Sequence, residues 1–241
     1  MKITEDIFYK HETSIKNEVW NVSLSYESSN AKELKIEKLK NIPIIEIVEN
    51  GKFYSAIKID VTNNQKKKKS CILTGIDGAF ILYGSGEEND YQSVLINNNN
   101  ILLSLGFSLV SIDLKTLKLN WKIRPDTAEI FEFYKYKNDI ILRGELAIHR
   151  INIESGKSIW EFGGRDIWIN MDGKEEVNIE NNGIRLFDFE SNEYLIDFNG
   201  NLLEDKPRVS KIKSKKATIM NNPKKWFYNK LWNLVQNKNQ I

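Results

Sequence analysis

Apolar and polar residues alternate along much of this chain with the period of two that puts every other side chain on one face of a β-strand. The first clear case is Val19-Trp20-Asn21-Val22-Ser23-Leu24-Ser25-Tyr26, which predicts a strand. Residues 29–40 are ambiguous, since Leu34 and Ile36 alternate but the density of Lys and Glu also suits a short helix. Residues 43–48 and 53–61 predict two strands, and Asn50-Gly51 between them supplies the positive φ of a tight hairpin turn. Further strands are predicted at 70–74 and 78–83, with a turn at Asp77-Gly78. The four lysines at 66–69 follow Thr62-Asn63-Asn64-Gln65 and read as a solvated hairpin tip, and residues 84–90 read as a loop.

The pattern then repeats. Residues 101–121 superpose on 140–160 without a gap, Ile101 falling on Ile140, Leu103 on Leu142, Ile112 on Ile151, Lys118 on Lys157 and Trp121 on Trp160. In each copy two strands flank a short run of turn formers, Lys115-Thr116-Leu117 or Glu154-Ser155-Gly156, and the tryptophan follows on the second strand. Each Trp is expected to bury against a neighbouring repeat. Residues 184–203 form a third copy without the Trp, and Ile59-Asp60-Val61 is matched to Ile112-Asp113-Leu114 as a fourth relic. A fixed period near 40 residues predicts a stacked β architecture, with about five units of three or four antiparallel strands in residues 1–205.

The segments Leu109-Val110-Ser111-Ile112-Asp113-Leu114-Lys115-Thr116-Leu117-Lys118-Leu119-Asn120-Trp121 and Ile148-His149-Arg150-Ile151-Asn152-Ile153-Glu154-Ser155-Gly156-Lys157-Ser158-Ile159-Trp160 resemble the repeat of PQQ-like, quinoprotein-type β-propellers. The resemblance implies a mainly β, antiparallel, propeller-like domain. It departs from the pattern at Leu117, where glycine is usual, and in the third copy, which lacks its Trp. PQQ enzymes commonly carry a vicinal cysteine disulfide and a calcium site. Cys71 is the only cysteine, so the disulfide is excluded and no cofactor is expected.

Residues 206–241 change character. The first part is basic, and Asn222-Pro223 then has the N-cap and first-turn preferences of a helix at about 222–237. Phe227, Leu231, Leu234 and Val235 share one face of that helix, with Tyr228 and Trp232 widening it. These 36 residues hold ten Lys or Arg and no acid, so residues 1–205 carry 25 basic and 33 acidic side chains, a charge of −8 beneath the overall +2. A basic tail follows an acidic body. Packing of the helix on the propeller, contact with an acidic partner or nucleic acid, and contact with an anionic membrane surface are three readings of that tail.

Chemistry is sparse. His11 and His149 are the only histidines, and His149 occupies the repeat slot of Val110, which reads as packing. No metalloprotease, nucleophile-elbow or phosphate-loop motif occurs, and Gly84-Ser85-Gly86 alone does not make a dinucleotide fingerprint. No apolar run approaches the length of a membrane span, and the N-terminus has no signal-peptide pattern, so a cytoplasmic protein is expected. A non-enzymatic protein-binding module fits best. By type, the chain resembles bacterial immunity proteins that neutralise a cognate toxin, and an acidic body would suit the basic active surface of a nuclease toxin. Partner contacts are expected at Glu87, Glu88 and Asp90 in the loop, and at Lys224, Lys225, Trp226 and Trp232 in the tail. The alternatives are a small propeller hydrolase acting on a glycan or lactone, and a scaffold subunit docking through its C-terminal helix.

Overall fold

The structure is a computed structural model and describes residues 11–26, 42–47, 55–87 and 89–208. The chain divides between Arg208 and Val209. The expected helix at 222–237 and the tail residues Lys224, Lys225, Trp226 and Trp232 lie outside the described residues, as do Glu88 and the ambiguous stretch at 29–40.

Eighteen strands form four sheets among the described residues. Blade 1 contains β1 (His11–Lys16), β2 (Trp20–Tyr26), β3 (Ile44–Glu46), β4 (Ile57–Asn63) and β5 (Lys68–Thr74), in the order β1-β2-β4-β5-β3. The short β6 (Tyr91–Gln92) precedes blade 2, which is β7 (Val94–Asn97), β8 (Asn100–Leu105), β9 (Ser108–Asp113) and β10 (Lys118–Ile123). Blade 3 is β11 (Ile130–Tyr136), β12 (Asp139–Gly144), β13 (Ala147–Asn152) and β14 (Ser158–Gly163), with β6 added beside β11. Blade 4 is β15 (Val177–Glu180), β16 (Gly183–Phe187), β17 (Glu193–Ile196) and β18 (Leu202–Lys206). Apart from β3, every pairing is antiparallel between neighbours, the arrangement of propeller blades.

Four sheets, where about five units were expected, follow from how the first ninety residues are used. The predicted hairpin of 43–48 with 53–61 does not form: both edges of β4 are taken by β2 and β5, and β3 pairs in parallel with β5. Residues 78–83 form no strand either. Their backbone donors are met by side chains instead of a ladder, Ala79 N by Glu129 Oε1 (3.4 Å), Leu82 N by the Tyr26 hydroxyl (3.2 Å) and Tyr83 N by Ser93 Oγ (2.9 Å).

Each blade ends in the same hairpin, and it explains the repeat. An Asx side chain at the end of the third long strand accepts backbone N–H groups of the turn. Asn63 takes those of Gln65 and Lys67, Asp113 that of Thr116, Asn152 that of Ser155, and Asp197 those of Asn199 and Asn201. A residue with positive φ closes each turn: Lys66 (59°), Leu117 (54°), Gly156 (67°) and Gly200 (84°). The Asx of blade 1 is therefore Asn63, and the match of Asp60 to Asp113 was three residues out of register.

Apolar clusters join consecutive blades. One fills the space between blades 1 and 2 around Leu24, Ile59, Leu103 and Val110; a second joins blades 2 and 3 around Leu102, Leu109, Phe133 and Ile151; a third joins blades 3 and 4 around Ile148, Trp168, Ile184 and Ile196. Among the described residues none joins blade 4 back to blade 1. Both outward faces carry ion pairs beside a buried apolar residue, Ile72 on blade 1 and Leu195 on blade 4. On blade 1 Asp60 pairs with Lys58 (2.7 Å) and accepts from Ser70 (2.5 Å). On blade 4 Arg185 binds Glu180 and Glu193 (2.5 Å each), while Lys206 reaches Glu204 (2.5 Å) and Glu193 (3.2 Å). Among the described residues no sheet lies beyond either face, leaving a four-bladed arc.

Candidate binding face

Because neighbouring strands are antiparallel, successive turns fall alternately at the two ends of the arc. One end carries the tight Asx turns. The other carries the longer connections at 75–90, 124–129, 164–176 and 188–192. Backbone hydrogen bonds tie these connections to their neighbours: Phe107 N to Asp77 O (3.1 Å), Ile130 N to Gly106 O (2.7 Å), Glu145 N to Glu129 O (2.8 Å), Trp168 N to Glu145 O (2.9 Å) and Phe189 N to Ile167 O (2.8 Å). A loop face held in this way is preorganised, which lowers the entropic cost of binding.

Side chains add to the pinning. Asp126 accepts from Ala128 N (3.1 Å), Leu146 N and Ala147 N (3.0 Å each), fixing the 124–129 loop on the β12–β13 turn. Asn170, fully buried, donates to Asp188 O (2.9 Å) and Ser191 Oγ (3.0 Å), and its own oxygen accepts from Asp172 N and Lys174 N. Beneath them lies a buried ion pair. Arg143 on β12 binds both oxygens of Glu132 on β11, the second at 2.7 Å. It also donates to Trp168 O (2.5 Å) and lies 3.8 Å from Glu176, so blade 3 grips the loop entering blade 4. Burial works against the Arg143 charge, but Glu132 and Glu176 outweigh it and hold the guanidinium ionised more firmly than usual.

This buried set does not resemble a reactive centre. Both Glu132 oxygens are engaged by Arg143, so Glu132 itself is not free to act as a general base. Burial, reinforced by the Glu132 charge, pushes the Tyr83 and Tyr134 phenols well above their ordinary range, so both stay neutral. Cys71 is buried and its thiol is pushed up to about 12, chiefly by burial and then by Asp60, which makes it a poor nucleophile. Among the described residues no group of three or more His, Cys, Asp or Glu is placed to hold a metal ion. Sequence reasoning missed the Glu132–Arg143 pair, although a charge at the centre of Phe131-Glu132-Phe133 and another after Leu142 were visible signals.

Of the residues expected to meet a partner, Glu87 is exposed, and its carbonyl accepts from the Gln92 side chain (3.2 Å), which also braces Gly86 N (3.2 Å). Asp90 is half-buried and engaged with neighbours. Exposed groups on the loop end include Leu146, Met171, Asp172, Lys174, Glu175 and Glu190, with Arg124 over the Phe107 ring at 4.3 Å. Charge is uneven along the arc. Residues 1–163 hold 22 acidic and 22 basic side chains, whereas 164–205 hold eleven acidic and three basic. The whole −8 of the body therefore belongs to blade 4 and the loop leading into it.

No helix among the described residues is long and apolar enough to cross a membrane. No family model matches this sequence, and no curated protein matches it. Solved structures similar to the chain include BamB from Moraxella catarrhalis, at 12% identity and a TM-score of 0.42 over 80% of this chain and 55% of that one. Two computationally designed proteins are also similar. Ika8 matches at 10% identity and a TM-score of 0.41 over 80% of this chain and 60% of its own, and Ika4 at 13% and 0.40 over 54% and 79%. The chain thus spans little more than half the length of BamB and three-fifths of that of Ika8.

Proposed function

We propose that this protein is a non-enzymatic binding module of the immunity type, which neutralises a bacterial toxin domain by covering its basic active surface. The observation that carries this reading is the charge division: a neutral arc of three blades and a fourth region bearing the full −8. Exposed Glu175 and Glu190 stand on the loop end of that region, beside exposed Met171, on loops braced by Asn170 and Arg143. A negative surface of this kind speeds encounter with a cationic partner, and the pinned loops limit the ordering cost of docking. The commitment of Glu132 to Arg143 and the neutral tyrosines favour binding over hydrolysis.

Calorimetric titration of the full chain with the toxin domain encoded beside it tests the idea. One-to-one binding is expected at low salt, with affinity falling steeply as salt rises. The double variant Glu175→Lys with Glu190→Lys should weaken binding by about tenfold or more, chiefly through slower association. Absence of binding at low salt would sink the proposal.

A further inference from the structure

The seam between blades 2 and 3 holds two buried polar atoms that find no hydrogen-bond partner, Trp121 Nε1 and His149 Nε2. At the equivalent repeat position in the seam between blades 3 and 4, Trp160 Nε1 donates to Phe198 O at 3.0 Å, while Trp168 Nε1 in that seam also finds no partner. His149 is only 1% exposed and stands on β13 between Leu142 of β12 and Glu161 of β14. Two carboxylates act on it. One is Asp126, which already accepts three backbone N–H groups; the other is exposed Glu161. The blade 2 side of the seam offers Leu102, Leu109, Trp121 and Ile123, none of which titrates.

We propose that the seam between blades 2 and 3 is an acid-sensitive joint and that His149 is its trigger. A neutral imidazole fits the seam, whereas a protonated one has a donor at Nε2 with nothing to receive it. Burial lowers the proton affinity of the ring, and the opposing pull of Asp126 and Glu161 does not restore it. The sign follows from linkage. The unfolded or opened chain binds a proton that the closed seam refuses, so stability is present above the ordinary imidazole range near 6.5 and is lost as pH falls through the folded value. Protonation therefore favours separation of the blade 1–2 half from the blade 3–4 half. This inference does not depend on the binding role proposed above.

The experiment follows the thermal midpoint of the full chain from pH 7.5 to pH 5.0, for the wild type and for His149→Gln. The wild type should lose about 3–6 °C more than the variant over that range. Equal losses would overturn the proposal. If His149→Gln fails to fold, His149→Leu serves in its place. NMR of the wild type gives an independent reading, because only two histidines are present to assign. Loss of the folded His149 signal in acid supports the joint. Reversible titration of its ring near 6.5 within an intact structure refutes it.

Discussion

The inner blades and the end blades differ at one position of the repeat, the residue that would face the next blade from the outermost hairpin strand. In blades 2 and 3 it is Trp121 and Trp160, which lie over Gly156 and Gly200 in the turn of the following blade; a Cβ on those glycines would come within 2.8 and 2.9 Å of the indole carbons. In blade 1 the position falls to Lys69, which faces Val61 on β4 and donates to Lys115 O in the turn of blade 2. In blade 4 it is Glu204, which joins the outward ion pairs with Arg185 and Lys206. The residue at this position therefore reports what lies beyond it. The two departures from the propeller repeat go with the neighbouring blades: no indole arrives from blade 1, so Leu117 can stand where glycine is usual, and among the described residues no glycine turn lies beyond blade 4 to receive a Trp.

The largest effect should come from contrasting ion pairs inside and at the end of the arc. Arg143→Ala leaves Glu132 buried and unpaired and frees Trp168 O, and should cost about 3–5 kcal/mol. Arg185→Ala acts on a partly exposed network and should cost under about 1 kcal/mol. Urea denaturation of both variants measures the contrast. Similar losses would mean that blade 4 is not an end face.

Next in size are the seam residues. Trp160→Ala should cost about 3 kcal/mol, the low end for a tryptophan because its ring is only partly buried. Gly156→Ala should cost about 2–3 kcal/mol, since it combines a φ of 67° with overlap onto Trp121. Leu117→Gly, the reciprocal change at the same repeat position, relieves a strained φ but empties a site in the first core cluster, for a net loss of about 1–2 kcal/mol. If Leu117→Gly stabilised the protein, the account of why glycine is missing there would fail.

Local chemistry made the blades legible in the sequence. Alternation marked β2, and the match of 101–121 to 140–160 with its turn residues marked the outer hairpins β9–β10 and β13–β14. Legibility stopped where a segment's partner was distant. The apolar run at 44–46 looks like half of a hairpin, yet β3 lies parallel to β5, with Ile72 N on Pro43 O and Ile47 N on Thr74 O extending the ladder. That edge is free to accept it because the β4–β5 register is unbroken, whereas β10, β14 and β18 each carry a bulge, which discourages further pairing. The charge of the body was countable in advance, but its concentration on one blade required the blade boundaries.

The smallest predicted effect concerns the outward face of blade 4 in acid. Burial is the largest single influence and pushes the Glu193 carboxyl up, but the hydrogen bonds and charges of Lys206 and Arg185 together outweigh it and leave it below the ordinary carboxylate range. A carboxyl whose folded value is depressed contributes stability that is present above its unfolded value near 4.3 and is lost as pH falls through the folded value. Backbone amide exchange in β16 and β17 should therefore rise more than exchange in β8 and β9 as pH is lowered from about 5 to about 3, after correction for intrinsic rates. Glu193→Gln should remove part of that difference, and high salt should reduce it because the network is open to solvent. Equal loosening of both pairs of strands would show that these carboxylates do not hold the end of the arc.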